Sequence, residues 1–242
     1  MIKKLVTGLF LTFAIFVLAG IGLVGCAISV RGSGNVVTEG REVSGFDRVA
    51  LDGMGEIVLT QGDSYSLIIE AEENLMQYIK STVRGDELTI NIKSRRPVIP
   101  SKRLKFYITV PNLEGVSVDG AGSINIGSLD SDTLELDING SGNITIDELD
   151  ASSVVVQVDG VGDINLTGEI DSLEVGINGS GNFNGKNLES KSATVDINGV
   201  GNAKVNPQNS LDANIDGAGQ VVYYDSPAVS KNINGVGRVV QR

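Results

Sequence analysis

The sequence predicts an all-β fold, a single-stranded β-helix in which one chain winds into stacked coils. Two observations carry this prediction. From residue 116 onward, an Asp or Asn followed by Gly-x-Gly recurs every 18 to 20 residues, and a fixed period of this length is typical of solenoids. Apolar and polar residues alternate beside each of these turns, as in Leu134, Leu136 and Ile138, which indicates strands with one buried face.

The N-terminal segment has the composition of an export signal rather than of a folded element. Lys3 and Lys4 open it, an apolar stretch follows from Leu5 to Val24, and Gly25 precedes Cys26. A basic start, an apolar middle and a small residue at the boundary are typical of signals that are removed from the mature protein. We therefore leave this segment out of the fold prediction.

The end of the signal, Leu-Val-Gly-Cys at residues 23–26, resembles the lipobox of bacterial lipoproteins. There the cysteine receives diacylglycerol and becomes the new N-terminus. The alternative is an uncleaved transmembrane anchor, because the apolar stretch approaches the ~20 residues that span a bilayer. We expect an exported protein, anchored to the cell membrane or the outer membrane as a lipoprotein through Cys26. The predicted divisions are a signal peptide (1–25), a short lipid-anchored tether (26–31), an irregular β section (32–115) and regular repeats (116–242).

The composition excludes several classes of protein. A net charge of −11 repels nucleic-acid phosphates, so no nucleic-acid partner is expected. The chain has one cysteine and no histidine, which removes disulfides, His- or Cys-rich metal sites and catalysis through His. Since no Gly-x-Gly-x-x-Gly or Walker motif stands between a strand and a helix, no cofactor is predicted.

The Gly-x-Gly repeat predicts a tight corner in each coil. The glycines share the phase of the inward-facing residues, so we expect a corner without room for a Cβ atom, and glycines with the positive φ of a tight turn. We expect the Asp and Asn side chains to bond their own turn and to form ladders from coil to coil. The predicted corner residues are Asp119, Gly120, Gly122; Asn139, Gly140, Gly142; Asp159, Gly160, Gly162; Asn178, Gly179, Gly181; Asn198, Gly199, Gly201; Asp216, Gly217, Gly219; and Asn234, Gly235, Gly237.

Each repeat contains a second polar stretch, such as residues 147–153, in which we expect a looser turn. The N-terminal third carries related motifs at 31–37 and 51–59, but 67 residues separate Asp52 from Asp119. This wider spacing predicts larger, less regular coils that cap the solenoid. Outside these two kinds of turn the sequence suggests no cluster of acidic residues.

The segment 93–105 concentrates positive charge in an acidic protein. It holds six basic residues and no acid, and its two prolines predict an extended loop. One interpretation is contact with an anion, such as lipid headgroups, lipopolysaccharide or an acidic glycan, with salt-sensitive affinity. The other is a solvated loop whose charges prevent edge pairing. The basic residues are Lys93, Arg95, Arg96, Lys102, Arg103 and Lys105.

These segments together resemble the bacterial head GIN domain family, whose members are regarded as autotransporter adhesins. The resemblance is carried by "VSGFDRVALDGMGEIVLTQGD", "EENLMQYIKSTVRGDELTINI", "YITVPNLEGVSVDGAGSI" and the Gly-x-Gly array, in this order, and it covers residues 31–242. It implies a right-handed β-helix, similar in shape to pectin-lyase-type folds. It also implies a role in adhesion and supplies no catalytic residues.

We therefore expect a non-catalytic protein of the cell envelope that acts by surface contact, in adhesion or in polysaccharide or envelope binding. Its expected partners are the membrane, through Cys26, and an envelope or host polysaccharide or a surface protein. Stacking of the solenoid's open end on a second copy is compatible with the sequence, so a homo-oligomer stays open.

Two other functions stay open. The first is a polysaccharide lyase or hydrolase that uses corner acids such as Asp119, Asp159 and Asp163; hydrolysis needs two carboxylates about 5 to 9 Å apart, one with a raised pKa. Asn occupies the same columns and cannot act as acid or base, which argues against it. The second is a structural or sensory envelope component without a ligand of its own. Asp and Asn oxygens near glycine also suit calcium, but a period near twenty differs from that of calcium-binding β-rolls.

Overall fold

The computed structural model describes residues 29–242 and shows a β-solenoid of stacked parallel coils, which confirms the predicted fold class. The proposed signal peptide and Cys26 lie outside the described residues. Within the part of the chain that the structure describes, no helix is long and apolar enough to cross a membrane.

Eighteen strands and one 3₁₀ turn follow one another in the described chain. They are β1 (Val30–Arg31), β2 (Val36–Arg41), β3 (Arg48–Asp52), β4 (Met54–Gln61), β5 (Ser66–Glu72), the 3₁₀ turn (Met76–Tyr78), β6 (Ile79–Arg84), β7 (Glu87–Ile92), β8 (Val98–Ile99), β9 (Lys105–Val110), β10 (Gly115–Val118), β11 (Ala121–Ile138), β12 (Ser141–Val158), β13 (Val161–Ile177), β14 (Ser180–Ile197), β15 (Val200–Ile215), β16 (Ala218–Tyr223), β17 (Ala228–Ile233) and β18 (Val236–Gln241).

The five long strands β11 to β15 each form most of one coil. Each pairs in parallel with the next, so that Ala121, Ser141, Val161, Ser180 and Val200 stand above one another. Because the register is kept from coil to coil, residues at the same place in the repeat form straight columns. Neighbouring strands lie about 4.8 Å apart, which is therefore the rise of one coil.

Aliphatic side chains at alternate positions fill the interior of the coils. Leu134, Leu136 and Ile138 are almost fully buried, as are the residues aligned with them in the following coils. The continuous core runs from Phe46 to Val222.

The looser turn expected within each repeat interrupts the strand in the last coil, at residues 224–227 between β16 and β17, but not in the coils formed by β11 to β15. Strand β12 continues without a break through residues 147–153. The chain bends there instead: Asp147 and Glu148 both face solvent before Leu149 returns to the core, and the pairing with the coil below is maintained. Polar residues at this place mark the outer side of a bend rather than the end of a strand.

The N-terminal section mixes parallel and antiparallel pairing. Strands β3 and β4 pair in parallel with β10 and β11 and so support the first regular coil. Antiparallel pairs close this end of the solenoid: β2 with β5, β5 with β9, and β6 with β7. An antiparallel edge does not continue a parallel stack, and this section therefore ends it.

The opposite end consists of β16, β17 and β18. All six residues of β17 are exposed. Lys231 aligns with the buried Ala213 of the preceding coil, so a charged residue stands in a column that is apolar elsewhere. An inward-directed lysine at a sheet end disfavours pairing with another sheet, which makes a further coil on this end energetically unfavourable.

Candidate contact surfaces

The Gly-x-Gly corners are tight because successive coils press directly on one another. A Cβ atom added to Gly140 would lie closer than 3.0 Å to the carbonyl oxygen of Gly120, one coil below. The same holds for both glycines at all seven corners. Ser141 N–H donates to that carbonyl at 2.8 Å, and Gly140 N–H donates to the Val118 carbonyl at 2.9 Å. The expected exclusion of Cβ is confirmed, and its cause is the backbone of the neighbouring coil.

The positive φ expected for the corner glycines is wrong. Among residues 29–242, glycine has a positive φ at Gly34, Gly45, Gly55, Gly85 and Gly168. None of these belongs to the seven repeated corners. Close stacking, and not a left-handed backbone, selects glycine at the corners.

The Asp and Asn side chains that open the corners form the predicted ladder. Every asparagine of the column donates from Nδ2 to the Oδ1 of the residue one coil below, at 2.8 to 2.9 Å. Within the seven repeated corners no two aspartates are neighbours, so each asparagine has an acceptor. One coil below Asp119 the column begins with Asp52, and no asparagine stands between these two carboxylates. The bonds join coils, and the side chains do not bond their own turn as expected. The pairs are Asn139–Asp119, Asn178–Asp159, Asn198–Asn178 and Asn234–Asp216.

A second polar column follows the second glycine of each corner. Asn182 donates to Asp163 at 2.8 Å, and Asn202 donates to Asn182 at 2.9 Å. Small side chains separate the two columns. Three of them are exposed valines on alternate coils: Val161 (57%), Val200 (61%) and Val236 (82%).

We call this surface the corner face. Its residues are 119–123, 139–143, 159–163, 178–182, 198–202, 216–220 and 234–238. Seven corners at about 4.8 Å per coil make it about 29 Å long. An Asn amide carries two N–H donors, and the ladder uses one of them. The corner face therefore presents asparagine amide donors at four of its seven corners, beside exposed apolar groups.

The structure places the basic segment beside the first described residues. Strand β8, in the middle of the segment, pairs in parallel with β1. Five of the six predicted basic residues are exposed; of these, Arg103 forms an ion pair with Glu56 at 3.5 Å. Lys105 is half-buried in β9, where it aligns with Glu56 on one side and Glu70 on the other. Lys105 thus belongs to the sheet and stands apart from the exposed cations.

A buried glutamate fastens the basic segment to the N-terminal strand. Glu72 is fully buried. It accepts hydrogen bonds from Gly34 N–H at 2.6 Å, from Ser101 Oγ at 2.5 Å and N–H at 2.8 Å, and from Lys102 N–H at 3.3 Å. Burial alone raises the pKa of Glu72, but these donors outweigh it and lower the pKa to about 2.

Sequence reasoning missed Glu72. The alternation of β5, in which Leu67, Ile69 and Ala71 are buried, places residue 72 on the exposed face. Its burial arises from segments distant in sequence that fold over the end of the strand. No local pattern carries that information.

A column of carboxylates lies on the bends of the coils. Asp130, Asp150, Glu169 and Glu189 occupy aligned positions in four successive coils, and all four are exposed. These carboxylates lie in the polar stretches where the sequence predicted the looser turns, and spacings of 20, 19 and 20 residues relate them to one another. Within residues 29–242, no group of three or more His, Cys, Asp or Glu side chains is arranged to hold a metal ion.

Asp137 is the carboxyl group whose environment bears on an enzymatic function. Burial and then the nearby Glu135 raise its pKa, Arg48 opposes them, and Asp119 and Asp159 add to the rise. Arg48 forms an ion pair with Glu135. The corner acids considered for hydrolysis have another role, since Asp119 and Asp159 accept the hydrogen bonds of the asparagine ladder.

The stacked coils with their interlocked corners define a β-solenoid repeat protein that presents a rigid lateral surface. The family model described as "Putative auto-transporter adhesin, head GIN domain" matches residues 45–227. The chain belongs to this family, as its sequence resemblance predicted.

Solved structures agree with this assignment. A "putative adhesin" from Bacteroides fragilis is 30% identical and superimposes with a TM-score of 0.83, covering 88% of this chain and 100% of its own. A "putative lipid binding protein" from Parabacteroides distasonis is 23% identical with a TM-score of 0.69, covering 88% and 99%. A "putative adhesin" from Parabacteroides merdae is 21% identical with a TM-score of 0.68 and the same coverage. At these lower identities, the similarity to the two Parabacteroides structures shows a shared fold and nothing about function. No curated protein matches the chain.

Proposed function

We propose that the chain is an exported, lipid-anchored protein of the cell envelope that acts by surface contact and catalyses no reaction. The observation that carries the proposal is the corner face, a rigid row of amide donors and exposed valines. The description of its family as "Putative auto-transporter adhesin" agrees with a contact function at the cell surface.

An extended polysaccharide suits this surface. A sugar ring in an extended chain advances by a length similar to the rise of one coil, about 4.8 Å. Successive rings can therefore meet successive corners. The free amide N–H groups match hydroxyl oxygens, and the valines on alternate coils offer apolar contact to the C–H faces of the rings. Since the ladder holds the amides in place before binding, little side-chain entropy is lost.

The proposed anchor rests on the N-terminal sequence. Cys26 ends an apolar signal and lies four residues before β1. In cells that express the full chain, the membrane-bound protein should carry lipid label, begin at Cys26 and lose the label in Cys26→Ser. An unchanged chain that stays in the membrane unlabelled, with residues 1–25 still attached, would instead indicate an uncleaved transmembrane anchor.

The contact function is tested by the retention of residues 27–242 on a panel of envelope and host polysaccharides. Val161→Gln with Val200→Gln should abolish retention, because both side chains lie on the corner face. Val36→Gln with Val229→Gln is the matched control, since these valines are also exposed but lie elsewhere. Equal retention of both double variants would contradict the proposal.

The same wells distinguish the alternative functions when released products are measured. Release of new sugar ends that Asp137→Asn abolishes would establish the lyase or hydrolase, which the raised pKa of Asp137 favours. If the wells show neither retained protein nor released product, the result favours a structural or sensory envelope component without a ligand of its own.

A further inference from the structure

We propose that the chain has a membrane-contacting pole, at which the domain rests on the anionic phospholipid headgroups of the membrane that holds its anchor. We call it the basic pole and define it by Arg31, Lys93, Arg95, Arg96 and Lys102. The inference rests on the lipid anchor proposed above and adds a second, electrostatic contact beside it.

The first observation is where the basic segment lies relative to the anchor. Val30 pairs with Val98, and Arg31 pairs with Ile99, within the basic segment. Four residues separate Cys26 from Val30, and an extended chain of this length spans at most about 14 Å. An anchor at Cys26 therefore holds the basic pole close to the headgroups.

The contact between the N-terminal strand and the basic segment is firm. Glu72 accepts hydrogen bonds from Gly34 on one side and from Ser101 and Lys102 on the other. Asn74 adds a further link, donating to the Arg31 carbonyl at 2.7 Å. The strand that leads to the anchor and the segment that carries the cations are thus parts of one body.

The second observation is the distribution of charge along the chain. Residues 27–105 carry eleven basic and eleven acidic side chains, whereas residues 106–242 carry six basic and nineteen acidic. An anionic surface attracts the basic pole and repels the acidic repeats. The two effects orient the domain in the same sense, with its N-terminal end on the membrane and its repeats directed away.

The cations of the pole are available for headgroups. All five are exposed. The ion pairs in the described region involve Arg41, Arg48, Arg103 and Lys191, and so leave the pole's side chains without an acidic partner there.

The test uses residues 27–242, which contain the core that the structure describes between Phe46 and Val222, and a cooperative melting transition checks that they are folded. Sedimentation with vesicles is compared at low salt for phosphatidylcholine alone and for phosphatidylcholine with one third phosphatidylglycerol. Binding should require phosphatidylglycerol and decline as salt is raised. Arg95→Gln with Arg96→Gln should weaken it by about 25-fold, since each cation near an anionic surface contributes about fivefold.

The matched control is Lys204→Gln with Arg242→Gln, which removes the same charge from two exposed cations of the C-terminal coils, outside the corner face. This variant should bind as the unchanged domain does, and both variants should keep its melting temperature. Equal binding to both vesicles, no binding at low salt, or equal losses in the two variants would overturn the proposal. So would a loss of binding in inorganic phosphate beyond that in chloride of equal ionic strength, which would indicate a site for free phosphate.

The outcome is independent of the proposed anchor. If lipid labelling of the full chain fails while the domain still binds anionic vesicles, the anchor is wrong and the basic pole stands. If labelling succeeds and vesicle binding fails, the anchor stands and the basic pole is wrong.

Discussion

Replacement of a single corner glycine tests the account of the coil stacking. In Gly140→Ala the new methyl group meets the carbonyl oxygen of Gly120, closer than 3.0 Å. That carbonyl accepts the 2.8 Å hydrogen bond from Ser141. The two coils must move apart, and this bond is stretched or lost. Forced overpacking costs about 1 to 3 kcal/mol and a hydrogen bond contributes about 1 kcal/mol, so we expect the free energy of unfolding to fall by about 3 kcal/mol.

The control is Gly127→Ala in the same coil. A Cβ at Gly127 meets nothing within 4 Å, and its φ is not positive. The unfolded chain loses freedom, so we expect no loss of stability and a gain of up to about 1 kcal/mol. Urea denaturation of residues 27–242 measures both, provided that the m-values agree with that of the unchanged domain. A Gly140→Ala variant within about 0.5 kcal/mol of the unchanged domain, or equal losses in both variants, would refute the reasoning.

Three further substitutions test the polar columns and the buried carboxylate. Asn178→Asp replaces a donor to Asp159 by a second carboxylate and should lower the free energy of unfolding by about 1 to 2 kcal/mol near neutral pH; this deficit should shrink toward about pH 4, where protonation restores a donor. Glu72→Gln replaces one accepting oxygen by an amide nitrogen that cannot accept, so backbone N–H groups lose their acceptor. The free energy of unfolding should therefore fall by about 3 kcal/mol. Because the pKa of Glu72 is lowered in the folded state, the unchanged domain should lose stability as pH falls from about 4.5 to about 2, and the variant should lack this component. Glu169→Gln relieves repulsion in the acidic column and should raise the free energy of unfolding by up to about 1 kcal/mol at low salt.

Each of these changes has a control with the same chemistry elsewhere in the chain. Asn187→Asp lies outside both ladders and aligns with Thr167. Glu42→Gln is the control for Glu72→Gln, because Glu42 is exposed. Glu174→Gln is the control for Glu169→Gln, because Glu174 aligns with the uncharged Val155 and Thr194. Within each of the three pairs, the denaturation curve of the variant should differ from that of its control. Indistinguishable members of a pair would contradict the role assigned to the first.

The sequence was sufficient to predict the solenoid because its dominant signals are local and repeated. Alternation shows which residues of a strand are buried, and a constant period shows that the strands stack in register. The ladder Asn139–Asp119 followed from these two facts alone. The acidic column through Asp150 and Glu169 obeys the same period, but Asp and Glu both occur in it and no invariant glycine marks it.

Other features depend on contacts that the repeat does not encode. The reason for glycine at position 140 is the carbonyl of the coil below, which sequence periodicity cannot distinguish from a requirement for positive φ. The burial of Glu72 needs Gly34 and Ser101, 38 and 29 residues away. The bend at residues 147–153 looks like a turn in sequence, since exposed polar residues mark both.

The two proposed contacts are compatible because the fold separates them along its length. The basic pole lies in the N-terminal section, whereas the corner face belongs to the repeats, which begin at residue 116 and carry the acidic charge. With the pole on the membrane, electrostatic repulsion keeps the acidic repeats off the anionic surface. The corner face then projects outward over about 29 Å, where an extended partner can lie along it. A charge reversal at the basic pole should therefore alter how the domain sits on its membrane and leave polysaccharide retention by the free domain unchanged.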